Sequence, residues 1–204
     1  MNNPAAHTLT DQQLVEKVLA GDQQAFARII RQTEGLVAQM VFKMVPTPSD
    51  RRDIVQDIYL KTYKNLSTFR FNSKLSTWIG KITYNTCLSF LEKKKLVFVP
   101  SHSDDIAQEE ILESWAYNKH PDTSNEVEKR ISGNELSAIL KAAIKNLSPP
   151  IYQTLITLYH QEELSYAEIA EITSLPEGTI KNYLFRARNV LKKNLLSTYQ
   201  REEL

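Results

Sequence analysis

Cysteine is nearly absent from this chain. Cys87 stands alone among 204 residues, which excludes an intrachain disulfide and a zinc site built on several thiolates. Glycine is scarce as well, with five in the chain, and no Gly-rich phosphate loop, H-E-x-x-H or G-x-S-x-G occurs. The common signatures of nucleotide binding, metalloproteolysis and nucleophile-elbow hydrolysis are therefore missing. His7, His102 and His120 fall in a tail or linker and His160 near a helix end, so Cys87 reads as a small helix-packing residue rather than half of a nucleophile–base pair. No enzyme, cofactor, metal or small-molecule substrate is expected. No segment alternates apolar and polar residues as a half-buried strand does. No apolar run approaches membrane-spanning length, and the N-terminus lacks the basic-then-apolar pattern of a secretory signal. A cytoplasmic protein is expected.

What is present is helical periodicity and segregated charge. At 42% hydrophobic and 24% charged the chain has the balance of a folded protein. Its net charge of +1 is an average over opposed blocks. Residues 61–95 hold Lys61, Lys64, Arg70, Lys74, Lys81, Lys93, Lys94 and Lys95 against the single acid Glu92. Residues 181–201 hold Lys181, Arg186, Arg188, Lys192, Lys193 and Arg201 and no acid. Between them, residues 101–128 carry eight acids against Lys119 alone. Two basic blocks joined by an acidic one suggest two polyanion-binding surfaces and a linker.

The expected fold is all-α: two small helical domains, the second a helix-turn-helix, joined by an acidic linker. Residues 1–9 read as a disordered tail, 10–95 as the first domain, 96–132 as the linker and 133–204 as the second domain. In the first domain Thr10 with Gln13 forms a capping box, Gly21 suits the stop of that helix and Asp22 caps the next. PTPSD, residues 46–50, reads as a turn. A third helix should turn Ile54, Val55, Ile58, Tyr59, Tyr63 and Leu66 inward and Asp53, Gln56, Asp57, Lys61 and Lys64 outward. FRFNSKL, residues 69–75, is a loop before a fourth helix that ends near Lys95. Beyond it the periodicity is lost until Gly133. Leu136, Ile139, Leu140, Ala143, Ile144 and Leu147 then form an apolar stripe. Ser148 is expected as the cap of the following helix and Pro149 as its first residue.

The segment AEIAEITSLPEGTIKNYLFRAR, Ala167 to Arg188, is the most informative. Ser165 and Glu168 make a capping box, Ile169, Ala170 and Ile172 give the short helix an inward face, and Thr173, Ser174 and Leu175 make a turn. Pro176 is tolerated at the start of the next helix, where Ile180 and Leu184 face inward. This is the grammar of a helix-turn-helix. Thr179, Lys181, Asn182, Tyr183, Phe185, Arg186 and Arg188 are the candidates to meet DNA. Cations suit phosphates and guanine edges, Asn suits adenine, and aromatics suit thymine methyls.

LSYAEIAEITSLPEGTIKNYLFRARNVLKK, Leu164 to Lys193, resembles the C-terminal DNA-binding region of bacterial sigma-70-family factors of the extracytoplasmic-function type. DIVQDIYLKTYKNLSTF, Asp53 to Phe69, resembles the polymerase-binding helix of that family, and FNSKLSTWIGKITYNTCLSFLEKKK, Phe71 to Lys95, its promoter-melting segment. The likeness covers about residues 10–95 and 133–196, in the family's order. It implies a sigma factor that binds core RNA polymerase, on the largest-subunit clamp helices and the flap, and directs it to promoter DNA. Asp53, Gln56, Asp57, Tyr59 and Leu60 would bind polymerase. Asn72, Ser73, Lys74, Trp78, Lys81, Tyr84, Asn85, Lys93 and Lys94 would take the −10 element as a single strand. Tyr84 would stack on a base, and Trp78, spaced with Ile82, reads as core before wedge. The candidates on the last helix would read the −35 element. An anti-sigma partner is compatible with the family. Two departures stand out: Asn182-Tyr183 replaces a frequent Ser-Arg, and Ser174 stands where Gly is common. If that turn needs positive φ, serine costs on the order of 1 kcal/mol there.

The competing reading is a free-standing operator-binding regulator, which would need a dimer to span half-sites. It leaves the basic, aromatic-bearing first domain and the long linker unexplained.

Overall fold

The computed structural model describes residues 9–98 and 133–202, and among these every structured segment is a helix. In chain order the helices are α1 (Asp11–Leu19), α2 (Gln23–Met44), α3 (Pro48–Asn65), a 3-10 turn (Leu66–Thr68), α4 (Leu75–Phe98), α5 (Gly133–Lys145), α6 (Pro150–His160), α7 (Tyr166–Thr173) and α8 (Glu177–Glu202). They form two units, the first built on α1 to α3 and α4 up to Ser89, the second mainly on the helices from Gly133 on. The expected tail at 1–9 lies, up to residue 8, outside the described residues, as does the expected linker from residue 99 on.

Local chemistry sets the helix starts in the first unit. The Thr10–Gln13 capping box closes in both directions, and the Asp22 carboxylate accepts from the amides of Gln24 at 2.8 Å and Ala25 at 3.1 Å. Pro48 is already helical, so the expected turn at 46–50 is shorter than PTPSD; a proline at the first position loses no helical hydrogen bond. Leu14, Val15 and Val18 of α1, Ile29, Val37, Met40 and Val41 of α2, and Ile54 and Ile58 of α3 are buried. Thr33 Oγ1 of α2 lies 3.2 Å from the Tyr59 hydroxyl of α3, tying the two helices through a buried polar contact. Burial pushes the Tyr59 phenol up, against the opposing pull of that hydrogen bond. Arg51 donates to the carbonyls of Val45 (2.9 Å) and Pro46 (3.3 Å), closing the C-terminal end of α2, and its guanidinium lies 4.3 Å from the Phe42 ring centroid. The start of α4 is held from far away in sequence: Asp11 Oδ2 accepts from the Leu75 amide at 2.8 Å.

In the second unit Ile144, Leu147, Ile151, Leu155, Leu158, Ile169, Leu175, Ile180 and Leu184 are buried. Gln153 Nε2 donates to the Leu147 carbonyl at 2.8 Å and joins the start of α6 to the end of α5. The cap of α6 is Pro149 and its first residue Pro150, one place later than expected from SPP. Either proline satisfies the same rule, because neither has an amide to leave unpaired. At the helix-turn-helix, the Ser165 amide donates to Glu168 Oε2 at 2.9 Å and the Glu168 amide to Ser165 Oγ at 3.2 Å. Ser174 ends α7 at φ 59°, in the left-handed region. Pro176 precedes α8, its carbonyl accepting from the Ile180 amide at 3.1 Å.

Candidate nucleic-acid and polymerase interfaces

The turn of the helix-turn-helix delivers α8 with a clear division of faces. Ile180, Leu184 and Ala187 are buried, while Lys181, Asn182, Phe185, Arg186, Arg188 and Asn189 are exposed. Asn182, Phe185, Arg186 and Asn189 follow i, i+3, i+4, i+7 and so share one stripe, with Lys181 on its flank. Phe185 is 62% exposed, an apolar ring held in water on a cationic face. Asn189 was not among the candidates; its spacing from Phe185 and Arg186 is the signal that finds it.

Three of the expected −35 residues sit differently from the rest. Tyr183 is half-buried, its ring 5.8 Å from that of Tyr152 on α6, so it faces the unit's interior. Thr179 is half-buried near the start of the helix. Arg188 leaves the stripe and places its guanidinium 5.3 Å from the Tyr159 ring centroid. Tyr159 and Tyr166 stack at 5.0 Å with 11° between their planes, and Lys181 Nζ lies 5.4 Å from the Tyr166 centroid. The hydrogen bond shared by the two phenols raises Tyr159 and lowers Tyr166; Arg188 favours the ionised form of both. Two cations thus gather over two rings beside the N-terminus of α7. The ion pair of Lys181 with Glu177, at 3.9 Å and exposed, adds little.

In the first unit, α3 exposes Asp53, Gln56, Asp57, Leu60, Tyr63 and Lys64. These fall at i, i+3, i+4, i+7, i+10 and i+11, one continuous face. Leu60 is 58% and Tyr63 53% exposed, so the carboxylates at the N-terminal end of this face give way to apolar groups toward its C-terminal end. Tyr63 corrects the expectation that it points inward. Thr62, one turn after Ile58, takes the buried place and donates to the Ile58 carbonyl at 2.9 Å. Tyr63 instead meets Phe26 edge-on at 5.1 Å. Tyr59 is buried on the opposite edge and orders α3 from within rather than presenting a contact. Asp57 pairs with Lys61 at 2.7 Å.

The remaining face begins in the loop before α4. Asn72 and Lys74 are exposed and Ser73 half-buried. On α4, Trp78 and Lys81 are half-buried and Asn85 and Lys93 exposed, again at helical spacing. Trp78 packs its ring 5.3 Å from Phe69, which lies 4.7 Å from Phe71. Lys94 lies over the Phe90 ring at 5.3 Å; the side chain of Lys95 is outside the described residues. Tyr84 is the correction here. It falls on the buried stripe of α4 with Thr77, Leu88 and Leu91 and has no exposed surface, which leaves no face for a base. Cys87 lies on the buried side as well, and burial pushes its thiol up to about 12 despite the nearby Lys61. It stays protonated and unreactive at neutral pH. No helix among the described residues is long and apolar enough to cross a membrane.

Two family matches fall on these two units: Sigma-70 region 2 on residues 29–97 and Sigma-70 region 4 on residues 138–191. The ECF RNA polymerase sigma-E factor of Haemophilus influenzae is 33% identical over 190 residues, 93% of this chain and 97% of that protein. The chain belongs to the extracytoplasmic-function family of sigma-70 factors. The sigma-E factor of Escherichia coli K12 is 37% identical over 183 residues, covering 90% of this chain and 93% of its own. Among solved structures, CnrH in complex with the cytosolic domain of CnrY aligns with a TM-score of 0.60 at 18% identity, over 92% of this chain and 97% of that one. The sigma factor RpoE of Bartonella quintana, in complex with the anti-sigma factor NepR, aligns with a TM-score of 0.57 at 22% identity, over 83% and 96%. At those identities the two structures speak for the fold.

Proposed function

We propose that this sigma factor binds core RNA polymerase, brings it to promoters through their −10 and −35 elements and promotes the melting that starts transcription. The observation that carries this is the stripe Asn182, Phe185, Arg186 and Asn189, with Lys181 beside it, held outward by a doubly capped helix-turn-helix. It occurs in one chain with a second face, Lys74, Trp78, Lys81 and Asn85, that combines cations, an aromatic and an amide. The stripe suits the edges of paired bases in a major groove. The second face suits an unpaired strand, where stacking and phosphate contact replace groove readout.

The division of labour follows. Residues 10–95 carry the polymerase and −10 surfaces and 133–204 the −35 surface, with the acidic segment 96–132 between them in the sequence. Asp53, Gln56, Asp57, Leu60 and the added Tyr63 form the polymerase face, docking on the clamp helices of the largest subunit. Arg188, Lys181 and Thr179 serve phosphates at the flank of the −35 surface, while Tyr183 supports the helix from inside. An anti-sigma protein, the partner class in the RpoE complex, fits as a regulator competing for these surfaces. Such a subunit works in the cytoplasm and carries no catalytic group of its own. The operator-binding alternative leaves the α3 face and the loop before α4 without a role.

The test is a separation of functions. Asp57→Arg should abolish co-elution with core polymerase while the protein still shifts −35 duplex. Arg186→Ala should keep core binding and lose −35 duplex affinity by about 5- to 150-fold, the range for one good base contact. Loss of both activities in both variants would contradict the assignment of separate faces.

A further inference from the structure

The base-reading helix is held from beneath along one line. Ile180, Leu184 and Ala187 of α8 are buried, and at i, i+4 and i+7 they make a single stripe. The exposed stripe of Asn182, Phe185, Arg186 and Asn189 lies on the far side of the helix. A helix packed along one line resists lifting but can still roll about it. A roll carries the exposed stripe sideways and changes which base edges it meets. Whatever fixes the roll must act from the side.

Lys181 and Arg188 stand on that side, about a quarter of a turn around the helix from the buried line. They lie seven residues apart, about two turns along α8, and each meets a ring from a different helix. Lys181 Nζ is 5.4 Å from the ring centroid of Tyr166, the first residue of α7. The Arg188 guanidinium is 5.3 Å from that of Tyr159, next to the end of α6. The two rings stack at 5.0 Å with 11° between their planes, and His160 meets Tyr159 edge-on at 4.8 Å. Cation, ring, ring and cation therefore run in series across three helices. One such contact would let α8 pivot about it; two contacts, spaced by two turns, hold its roll. This is not core packing, because both rings are half-buried and both cations exposed. A ring face also holds a cation without cancelling its charge, so the two remain able to attract phosphates.

We propose that Tyr159 and Tyr166 are positioning residues for −35 readout: their stacked rings lock the roll of α8 through Arg188 and Lys181 and so set where the base-reading stripe points. This rests on the reading of α8 as the −35 helix. Neither tyrosine touches a base in this role.

The experiment uses the full chain and two duplexes, one with the −35 element of a promoter that the holoenzyme transcribes, the other with one base pair of that element replaced. Fluorescence anisotropy over a series of salt concentrations gives both affinities and their salt slopes. Tyr159→Leu keeps an apolar side chain and removes the flat ring. It should lower the affinity ratio between the two duplexes by about 2- to 12-fold, the worth of one aromatic pair. Affinity for the altered duplex and the salt slope, which counts phosphate contacts, should stay at the parental values. Tyr159→Phe, which restores the ring, should restore the ratio. Arg188→Lys, at an exposed position, keeps the charge and loses the planar group that lies on the ring; it should lower the ratio too, and it decides the question should the leucine variant fail to fold. Equal weakening on both duplexes, or a salt slope lower by about 1, would overturn the positioning role, since the rings would then serve stability or phosphate contact alone. A phenylalanine variant that behaves like the leucine one would overturn it as well, by placing the effect in the hydroxyl. A parental ratio in Tyr159→Leu, while Arg186→Ala loses discrimination, would overturn it and leave the −35 reading standing. A parent that does not distinguish the two duplexes would remove the reading and the positioning role together.

Discussion

Asp11 begins the first helix, yet it holds the fourth. Its carboxylate accepts from the Leu75 amide at 2.8 Å, across 64 residues of sequence. An α-helix starts with amides that have no partner inside it, and here another helix supplies one. Removing such a cap costs about 0.5–2 kcal/mol, and hydrogen bonds to charged groups sit toward the upper end, about 1.5–3 kcal/mol. The contact is half-buried and Leu75 itself is 2% exposed, so water can reach the freed amide only in part. Asp11→Ala should therefore cost the first unit about 1–2 kcal/mol. For a unit of this size that is a fall of roughly 5–15 °C in midpoint. Asp11→Asn, which keeps an oxygen acceptor and loses the charge, should cost about half as much. Calorimetry on the full chain resolves the effect if the two units unfold separately, and only one transition should move. The same variant should weaken binding of a single-stranded −10 probe by the holoenzyme, because the loop carrying Asn72, Ser73 and Lys74 ends at Leu75. Binding of −35 duplex should be unchanged. An Asp11→Ala protein with the parental midpoint would refute the idea that this carboxylate fixes the start of α4.

Two further outcomes are expected. Ser174 holds a φ of 59°, so Ser174→Gly should stabilise the second unit by up to about 1 kcal/mol, the relief of the left-handed clash less the entropy glycine adds to the unfolded chain; a lower midpoint in a thermal melt would contradict it. Burial holds the Glu162 carboxyl above its ordinary range, so its contribution is full below the unfolded value and lost as pH rises through the folded one. Glu162→Gln should then gain stability over the parent between about pH 4 and pH 7, by up to about 0.5 kcal/mol, with no gain at pH 3. A constant difference across that range would show that the carboxyl does not titrate as described.

The capping residues were legible because caps are local. Thr10 with Gln13, Asp22, and Ser165 with Glu168 each act within three residues, and each makes the expected bonds. The positive φ foreseen as a condition at Ser174 is present for the same reason. Adjacent prolines were harder, since Pro149 and Pro150 fit the first turn equally well by their chemistry. The faces of α3 and α4 were legible in outline and wrong at their edges. Tyr63 is a large, amphipathic ring at the margin of a stripe, and periodicity does not say which side a margin residue takes; Tyr84 lies on the buried stripe itself, with Thr77, Leu88 and Leu91. Burial took Tyr84 inside and left Tyr63 in water. The left-handed backbone of Phe71, at φ 56°, was invisible, because nothing in FRFNSKL reveals which residue will carry it. The bond between Asp11 and Leu75 joins two helices that only the tertiary fold brings together, so no local pattern could announce it.

The central claim is that one chain joins polymerase to two promoter elements. Run-off transcription tests it most directly, with purified bacterial core polymerase, this protein and a library of genomic fragments. Discrete transcripts that require the protein, with starts preceded by two shared elements at a fixed spacing, are the expected result. A protein that neither binds core polymerase nor directs any transcript, yet shifts duplex DNA as a dimer, would contradict it.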